Sequence, residues 1–445
     1  MKKRVATSLV ALSVLTGVNT YAADDLSSMF SEGKTSGQIR AFYIDRKYEG
    51  SAGTTTHRNA LALGGHLKFE TADYKGLSFG TAFYTTNRLA SSPTVEPSMF
   101  GVNDDGYSIL GEAYAQYVYG NSTLKFGRQK LDTPMAGSDD ARMLPNLFEA
   151  YVLINKDIPN TTLIAAHVTK FAQGTFGRVY SGGILAATSG YSATDSKGQA
   201  GDFVNMGDYA IGKHTDGVTV ASATYAPNKN VKAQVWDYYA HDILNVVYGQ
   251  VDTSWTCLLT DKVHPFFSAQ LIKENNVGDK LLSAIGGDGK IDSMYWSAKF
   301  GAKVENFTAY VAYSETTKNS ATDASYANAI ITPWGGMPAF TQGMVTRHQF
   351  LAGTKATKVA ATYNFKDMGA NVSATAYYAS FDMDANSGYG IARTATEPGF
   401  DIIYNPEAVK NLQLRLRGNF PRKFAETASG DTGWNEYRLI ANYNF

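Results

Sequence analysis

Segments of about ten residues that alternate apolar with polar side chains recur along the chain, and this limits its fold more than any other feature. In 411–420, Leu412, Leu414, Leu416 and Phe420 alternate with Asn411, Gln413, Arg415, Arg417 and Asn419. In 293–304, Met294, Trp296, Ala298, Phe300 and Val304 alternate with Ser293, Ser297, Lys299 and Lys303. The last nine residues repeat the pattern. Tyr437, Leu439, Ala441, Tyr443 and the terminal Phe445 share one face, and Arg438, Asn442 and Asn444 share the other, with Ile440 the exception. A period of two belongs to a strand, and a strand with one greasy and one charged face fits between lipid and a water-filled lumen. A charge on the lipid side near the midplane costs roughly 2–4 kcal/mol. The Arg and Lys residues must therefore face inward, onto water.

Candidate strands follow near 36–46, 59–71, 76–85, 108–119, 122–130, 147–156, 161–171, 217–226, 231–240, 243–257, 262–273, 293–304, 307–316, 355–366, 371–382, 398–407, 411–420 and 436–445. Tight turns at 72–75, 120–121, 157–160, 227–230, 305–306 and 367–369 are interleaved with long polar segments at 86–107, 131–146, 172–216, 274–292, 317–354 and 383–397. Short connections on one side and long ones on the other are the asymmetry of an outer-membrane barrel. The expected fold is all-β, a transmembrane antiparallel β-barrel of about eighteen strands with long extracellular loops. An even strand number places both termini in the periplasm.

The amino terminus agrees with export. Met1-Lys2-Lys3-Arg4 is basic, Val5 to Val18 is apolar and uncharged, and Thr20-Tyr21-Ala22 puts small residues before a cleavage point. The apolar run is too short for a bilayer core of about 30 Å, so 1–22 reads as a cleaved signal peptide and 23–445 as one barrel domain. The 28 Tyr and 23 Phe suit aromatic girdles, and the 42 Gly suit turns and bulges. Forty basic and forty acidic residues cancel, so bulk charge points to no nucleic-acid partner. Cys257 is the only cysteine, which excludes an internal disulfide and a cysteine-based metal site.

The densest motif runs from Lys125-Phe126-Gly127-Arg128-Gln129 through Thr133-Pro134 to Asp139-Asp140-Ala141-Arg142-Met143-Leu144-Pro145-Asn146. It resembles the OprD family of substrate-selective outer-membrane porins, whose fifth strand ends in Gly-Arg-Gln and leads into a pore loop of this kind. Arg40-Ala41-Phe42-Tyr43-Ile44-Asp45-Arg46, Gly111-Glu112-Ala113-Tyr114, Leu414-Arg415-Leu416-Arg417 and Asn435-Glu436-Tyr437-Arg438-Leu439 extend the likeness along the mature chain. The resemblance implies an eighteen-stranded barrel with an inward-folded constriction loop and a row of lumen arginines that guides small carboxylates. It matches Arg142 to the pore-loop arginine, Arg415 and Arg417 to a pair on the penultimate strand, and Arg40 and Arg46 to the first strand. It also implies a terminal strand (Tyr437, Leu439, Ala441, Tyr443, Phe445) that the barrel assembly machinery reads.

Guanidinium suits the guiding role because it pairs bidentately with carboxylate and stays charged. Each of these arginines could instead brace the wall through a salt bridge, Arg128 and Arg438 most of all. Arg128 shares parity with Leu124 and Phe126, so either Gly127 forms a bulge or Arg128 sits where the strand ends. The first strand is ambiguous, since Arg40 and Arg46 share a face with Phe42 and Ile44. Asp132, Asp139 and Asp140 either oppose the arginines across a constriction or cap turns in a solvated loop. The segment 333–340 is too apolar for an ordinary surface loop and either folds into the pore or meets a partner or lipopolysaccharide. Lys299 and Lys303 line the lumen on parity alone.

No cofactor or metal is implied. His241-Asp242 has no accompanying nucleophile elbow, and the other histidines do not recur at ligand spacing. The reading is therefore a channel for small polar solutes, with carboxylates favoured, and not an enzyme. A general diffusion porin, a structural or adhesive barrel and a barrel hydrolase are the alternatives. Besides solutes, the partners are outer-membrane lipid and lipopolysaccharide, as a monomer or weak homotrimer.

Overall fold

The computed structural model describes residues 23–49, 55–195, 201–389, 392–427 and 430–445. The expected signal peptide lies outside the described residues. Eighteen wall strands run in chain order. The first nine are β1 (Lys34–Glu49), β2 (Thr55–Glu70), β3 (Leu77–Ser91), β4 (Tyr107–Tyr119), β5 (Ser122–Gln129), β6 (Leu147–Asn155), β7 (Thr161–Ala172), β8 (Val218–Asn228) and β9 (Val231–Ala240). The second nine are β10 (Leu244–Ser254), β11 (Val263–Asn276), β12 (Asp292–Val304), β13 (Phe307–Thr316), β14 (Lys355–Asn364), β15 (Val372–Met383), β16 (Arg393–Tyr404), β17 (Leu412–Asn419) and β18 (Gly430–Asn444). Each pairs antiparallel with the next, and β1 closes on β18 from Gln38 opposite Asn444 to Glu49 opposite Gly433. Closure leaves no strand edge unpaired in lipid. No helix among the described residues is long and apolar enough to cross a membrane.

The outward face is apolar, with Tyr119, Tyr225, Phe307, Tyr404 and Tyr443 exposed beside the short connections, as an interfacial girdle requires. Helix α1 (Leu26–Ser31) precedes β1. Asp25 and Ser28 cap it reciprocally, and Met29 packs on Ala23 and Ala72. Close approach of β1 and β2 explains Gly65: its φ is +127°, and a Cβ there would stand 1.8 Å from the Gln38 carbonyl oxygen.

Two details depart from the expected pattern. Strand β16 begins at Arg393 instead of 398, with Pro398 inside it. Phe420 N–H donates to the Pro398 carbonyl (3.0 Å), so the edge of Pro398 that lacks an N–H faces the chain just beyond the end of β17, where a proline is tolerated. The larger departure is that the lumen is not wet all round. Inward residues of β6–β10, including Phe148, Val152, Val168, Trp236 and Tyr248, form a dry cluster with residues from three inward-folded loops. These are loop A (130–146), loop B (173–217, carrying helices α2, Gly183–Ala187, and α3, Met206–Ile211) and loop C (317–354).

Candidate functional site

The constriction is built where loops A, B and C meet inside the barrel. Loop C enters because it is apolar. Ile331, Trp334 and Phe350 are buried, and Trp334 Nε1 donates to the Met206 carbonyl of loop B (3.1 Å). Gly137 N–H of loop A donates to the Trp334 carbonyl (3.0 Å), and Gly335 N–H donates to Gly190 of loop B (2.9 Å). The apolar segment 333–340 thus packs inside. Only Met337–Phe340 of that stretch stays partly exposed. Two wall carboxylates hold the loop from outside. Glu397 accepts the backbone N–H groups of Met344, Val345 and Thr346, and Glu274 accepts that of Ile331 (2.9 Å).

Loop A carries the three acids, and each has its own task. Asp132 accepts the Ser138 backbone N–H and hydroxyl, folding the loop tip. Asp139 binds Arg347 of loop C through both oxygens (3.0 and 3.1 Å) and accepts from Tyr191 of loop B (2.9 Å). Asp140 binds Arg40 of β1 (2.6 and 3.1 Å). Loop A is therefore riveted to the wall and to both other loops.

The arginines divide by exposure. Glu436 of β18 is fully buried and gathers three of them. Arg46 donates through Nε (2.8 Å) and lies 2.6 Å away through Nη2, Arg142 donates through Nη2 (3.0 Å), and Arg438 donates through Nε. Arg46 also lies 3.4 Å from Glu96 and donates to Tyr48 and Tyr180 (both 2.7 Å). Arg142 donates to Ser98 (3.1 Å), with its guanidinium 4.6 Å from the Phe176 ring centre. Burial, together with Arg438, pushes the Arg142 guanidinium down to about 10 despite Glu436, so it stays charged at neutral pH. The side chains of Arg46, Arg142 and Arg438 are at most 2 % open. Arg415 and Arg417 differ. Both lean on Asp401 of β16, Arg415 bidentately with Nε at 2.7 Å and Arg417 at 3.4 Å, and they keep 28 % and 17 % of their side-chain surface.

The orientation of β1 is resolved. Arg40, Phe42, Ile44 and Arg46 all point inward, where Phe42 and Ile44 pack with Met99, Phe100, Met143, Leu144 and Ile440. The same cluster explains why Ile440 breaks the terminal alternation. Tyr437, Leu439, Tyr443 and Phe445 are exposed outward, and Ala441 shares their parity. Arg128 is the correction. Pairing of β5 with both neighbours runs through Gly127 without a register shift, so no bulge turns Arg128 inward. One residue from the strand's end, it lies against Phe203 of loop B with 4.4 Å to the ring centre. Lys299 and Lys303 are half-buried on the inward parity of β12. His241 pairs with Thr219 (3.0 Å) and Asp242 accepts from Asp279 N–H (3.3 Å), so these neighbours form no dyad.

Residue-by-residue reading missed Glu436, Glu397, Asp401, Arg347, Lys358 and Arg58. Glu436 could have been found, since it shares the inward parity of Arg438 and stands within a quoted motif. Arg58 lies opposite Arg46 in the β1–β2 register, over the Tyr48 ring.

A model of the OprD family, described as outer membrane porins, matches residues 28–445. No curated protein sequence matches the chain. Among solved structures, Pseudomonas aeruginosa OccK9 (OpdG) is similar with a TM-score of 0.75 at 19 % identity, covering 94 % of this chain and 99 % of that one. OpdK of the same organism, solved with vanillate, gives 0.74 at 17 % with the same coverage. OccK2 (OpdF), in complex with glucuronate, gives 0.70 at 16 %, covering 94 % and 97 %. At these identities the likeness concerns the fold.

Proposed function

The chain belongs to the OprD family of outer-membrane porins, and on that premise we propose that it is a selective channel for small carboxylate-bearing solutes guided by Arg415 and Arg417. One observation carries the reading: these two guanidiniums share a single carboxylate, Asp401, and remain partly open. That leaves one uncompensated positive charge on the lumen wall. Arg46, Arg142 and Arg438 have no open surface to offer a solute, and we assign them to bracing the constriction. Arg40 is compensated by Asp140 of loop A. The vanillate and glucuronate named with the OpdK and OccK2 structures are both carboxylates, which favours this class over a general diffusion pore. A lumen narrowed by three interlocked loops favours selectivity for the same reason.

We also infer that 1–22 is removed on export, that 23–445 forms one barrel, and that the outward residues of β18 with Phe445 serve assembly. The test of guidance is the reversal potential of purified protein in asymmetric salt. Replacing both Arg415 and Arg417 by Gln should shift selectivity toward cations and lower carboxylate permeation while the barrel stays folded. Wild-type selectivity in that folded variant would sink the proposal.

A further inference from the structure

Beyond the arginines, the lumen wall holds a second pair of cations. Lys299 of β12 lies opposite Ala312 of β13, and Ala312 lies opposite Lys358 of β14. The two lysines therefore stand in one register row on the inward face, two strand spacings or about 9–10 Å apart at Cα. The residue between them, Ala312, is buried and carries no polar group of its own. The row continues to Ser268 and Asp252 on one side and to Ala379 and Glu397 on the other.

Both acids in that row are engaged elsewhere. Asp252 accepts from Ser268 (2.7 Å) and Gln250 (2.6 Å), and Glu397 holds the amides of loop C and the Tyr377 hydroxyl. Among the described residues no carboxylate oxygen lies within ion-pair distance of either lysine. Lys358 spends one of its three N–H groups on the Gln342 carbonyl of loop C (2.7 Å), and Lys299 spends none on a described residue. Aromatic rings lie beside both lysines. Phe340, at the partly exposed tip of loop C, lies 4.3 Å from Lys299 Nζ, with Tyr310 and Phe266 at 5.8 and 5.9 Å. Tyr377 lies 4.8 Å from Lys358 Nζ.

Asp252 and Glu397 act on Lys299 and Lys358 only at longer range. Two ammonium groups with spare donors and no direct ion pair can still bind an anion, and the surrounding rings offer faces on which a flat apolar body can lie. We propose that Lys299 and Lys358 form a second anion station beside the tip of loop C, which takes the carboxylate of a solute whose body is aromatic. The proposal rests on the channel reading above, but not on the guiding role of Arg415 and Arg417.

The test is single-channel recording of the full chain in planar bilayers, with benzoate and acetate as probes. Benzoate should interrupt the wild-type current. K299Q/K358Q should shorten the mean interruption about tenfold, the loss expected when charge-assisted hydrogen bonds to a carboxylate are removed. Acetate, which lacks a ring, should be affected less than twofold. K299R/K358R should restore the interruptions, and each single glutamine variant should show part of the loss, so that misfolding of the double variant does not decide the outcome. Absence of benzoate interruptions in the wild type, or wild-type durations in the folded glutamine variants, overturns the station. If R415Q/R417Q leaves carboxylate permeation intact while K299Q/K358Q shortens the interruptions, the arginine guidance fails and the station stands.

Discussion

The lumen has two walls of opposite character. Along β6–β10 the inward residues are Phe148, Val152, Trp236, Tyr248 and their like, sealed under loops A, B and C. Along β16–β18 and β1 they include Asp401, Arg415, Arg417, Glu436, Arg438, Arg40 and Arg46, with Phe42, Ile44 and Ile440 among them. The apolar wall gives three loops a floor to fold on, because burying aromatic surface holds a loop without asking the wall for counter-charges, while the loops satisfy one another's polar groups. The charged wall cannot be covered so cheaply. Apolar loop residues settle only on Phe42, Ile44 and Ile440, and a loop residue laid on its arginines or acids must bring a counter-charge, as Arg142 and Asp140 do. Open lumen surface is left where such partners run short, at Arg415 and Arg417.

The largest effect should come from the buried centre of the charged wall. Glu436→Gln leaves Arg46, Arg142 and Arg438 buried around a neutral amide, and breaking such a network costs roughly 3–5 kcal/mol. The unfolding midpoint, followed by heat-modifiable migration on gels, should fall well below that of the wild type. A variant of wild-type stability would show that solvent reaches these arginines. The matching cut in the apolar wall is Trp334→Ala. Removing a buried indole costs about 3 kcal/mol or more, here on the contacts among loops A, B and C. The expected outcome is a folded barrel with higher, noisier conductance and faster proteolysis within loop C. Unchanged conductance would mean that these loops do not set the pore.

This contrast also separates what the chain's pattern discloses from what it hides. A period of two is local, so all eighteen strands were legible, as was the tendency of loop C to bury itself. Parity fails where both faces are apolar. Val152 and Ile154 look as greasy as Tyr151 and Leu153, and nothing in the segment says that its inward side meets loops. The first strand failed for the converse reason, since Arg40 and Arg46 share a face with Phe42 and Ile44 and only the folded loops supply partners for both kinds. Ion-pair partners were illegible because closure creates them: Arg46 and Glu436 are 390 residues apart. The Lys299–Lys358 row likewise needs the register of three strands.

A third, somewhat smaller effect concerns pH at the seam between the walls. His348 of loop C is fully buried against Phe381, Tyr389 and Phe424, and its Nε2 meets the Phe424 carbonyl at 2.7 Å. Burial lowers its pKa to about 4, below the value of about 6.5 for an exposed histidine. The folded form therefore disfavours the proton. Its stabilising share is complete above pH 6.5 and is lost as pH falls toward 4, about 3 kcal/mol across that window. The unfolding midpoint should drop between those limits in the wild type and less in His348→Phe. Equal slopes would remove His348 from the account.

The smallest stability change should accompany the most telling change in selectivity. Asp401 is the counter-charge of the open arginines as Glu436 is of the closed ones, yet it and its two arginines keep 15 %, 28 % and 17 % of their side-chain surface, so lumen water can take over part of its role. Asp401→Asn should therefore lower the unfolding midpoint less than Glu436→Gln does. It removes one negative charge from a wall that holds Arg415 and Arg417, so the reversal potential should move further toward anions, opposite in sign to the Arg-to-Gln pair. Water screens that field and salt screens it further, with a Debye length of about 10 Å at 0.1 M and 3 Å at 1 M. The shift should accordingly be clear in dilute salt and nearly absent at 1 M. If Asp401→Asn instead destabilises the barrel as much as Glu436→Gln while selectivity stays put, Arg415 and Arg417 brace the wall as the buried three do. The distinction drawn between open and closed arginines then fails.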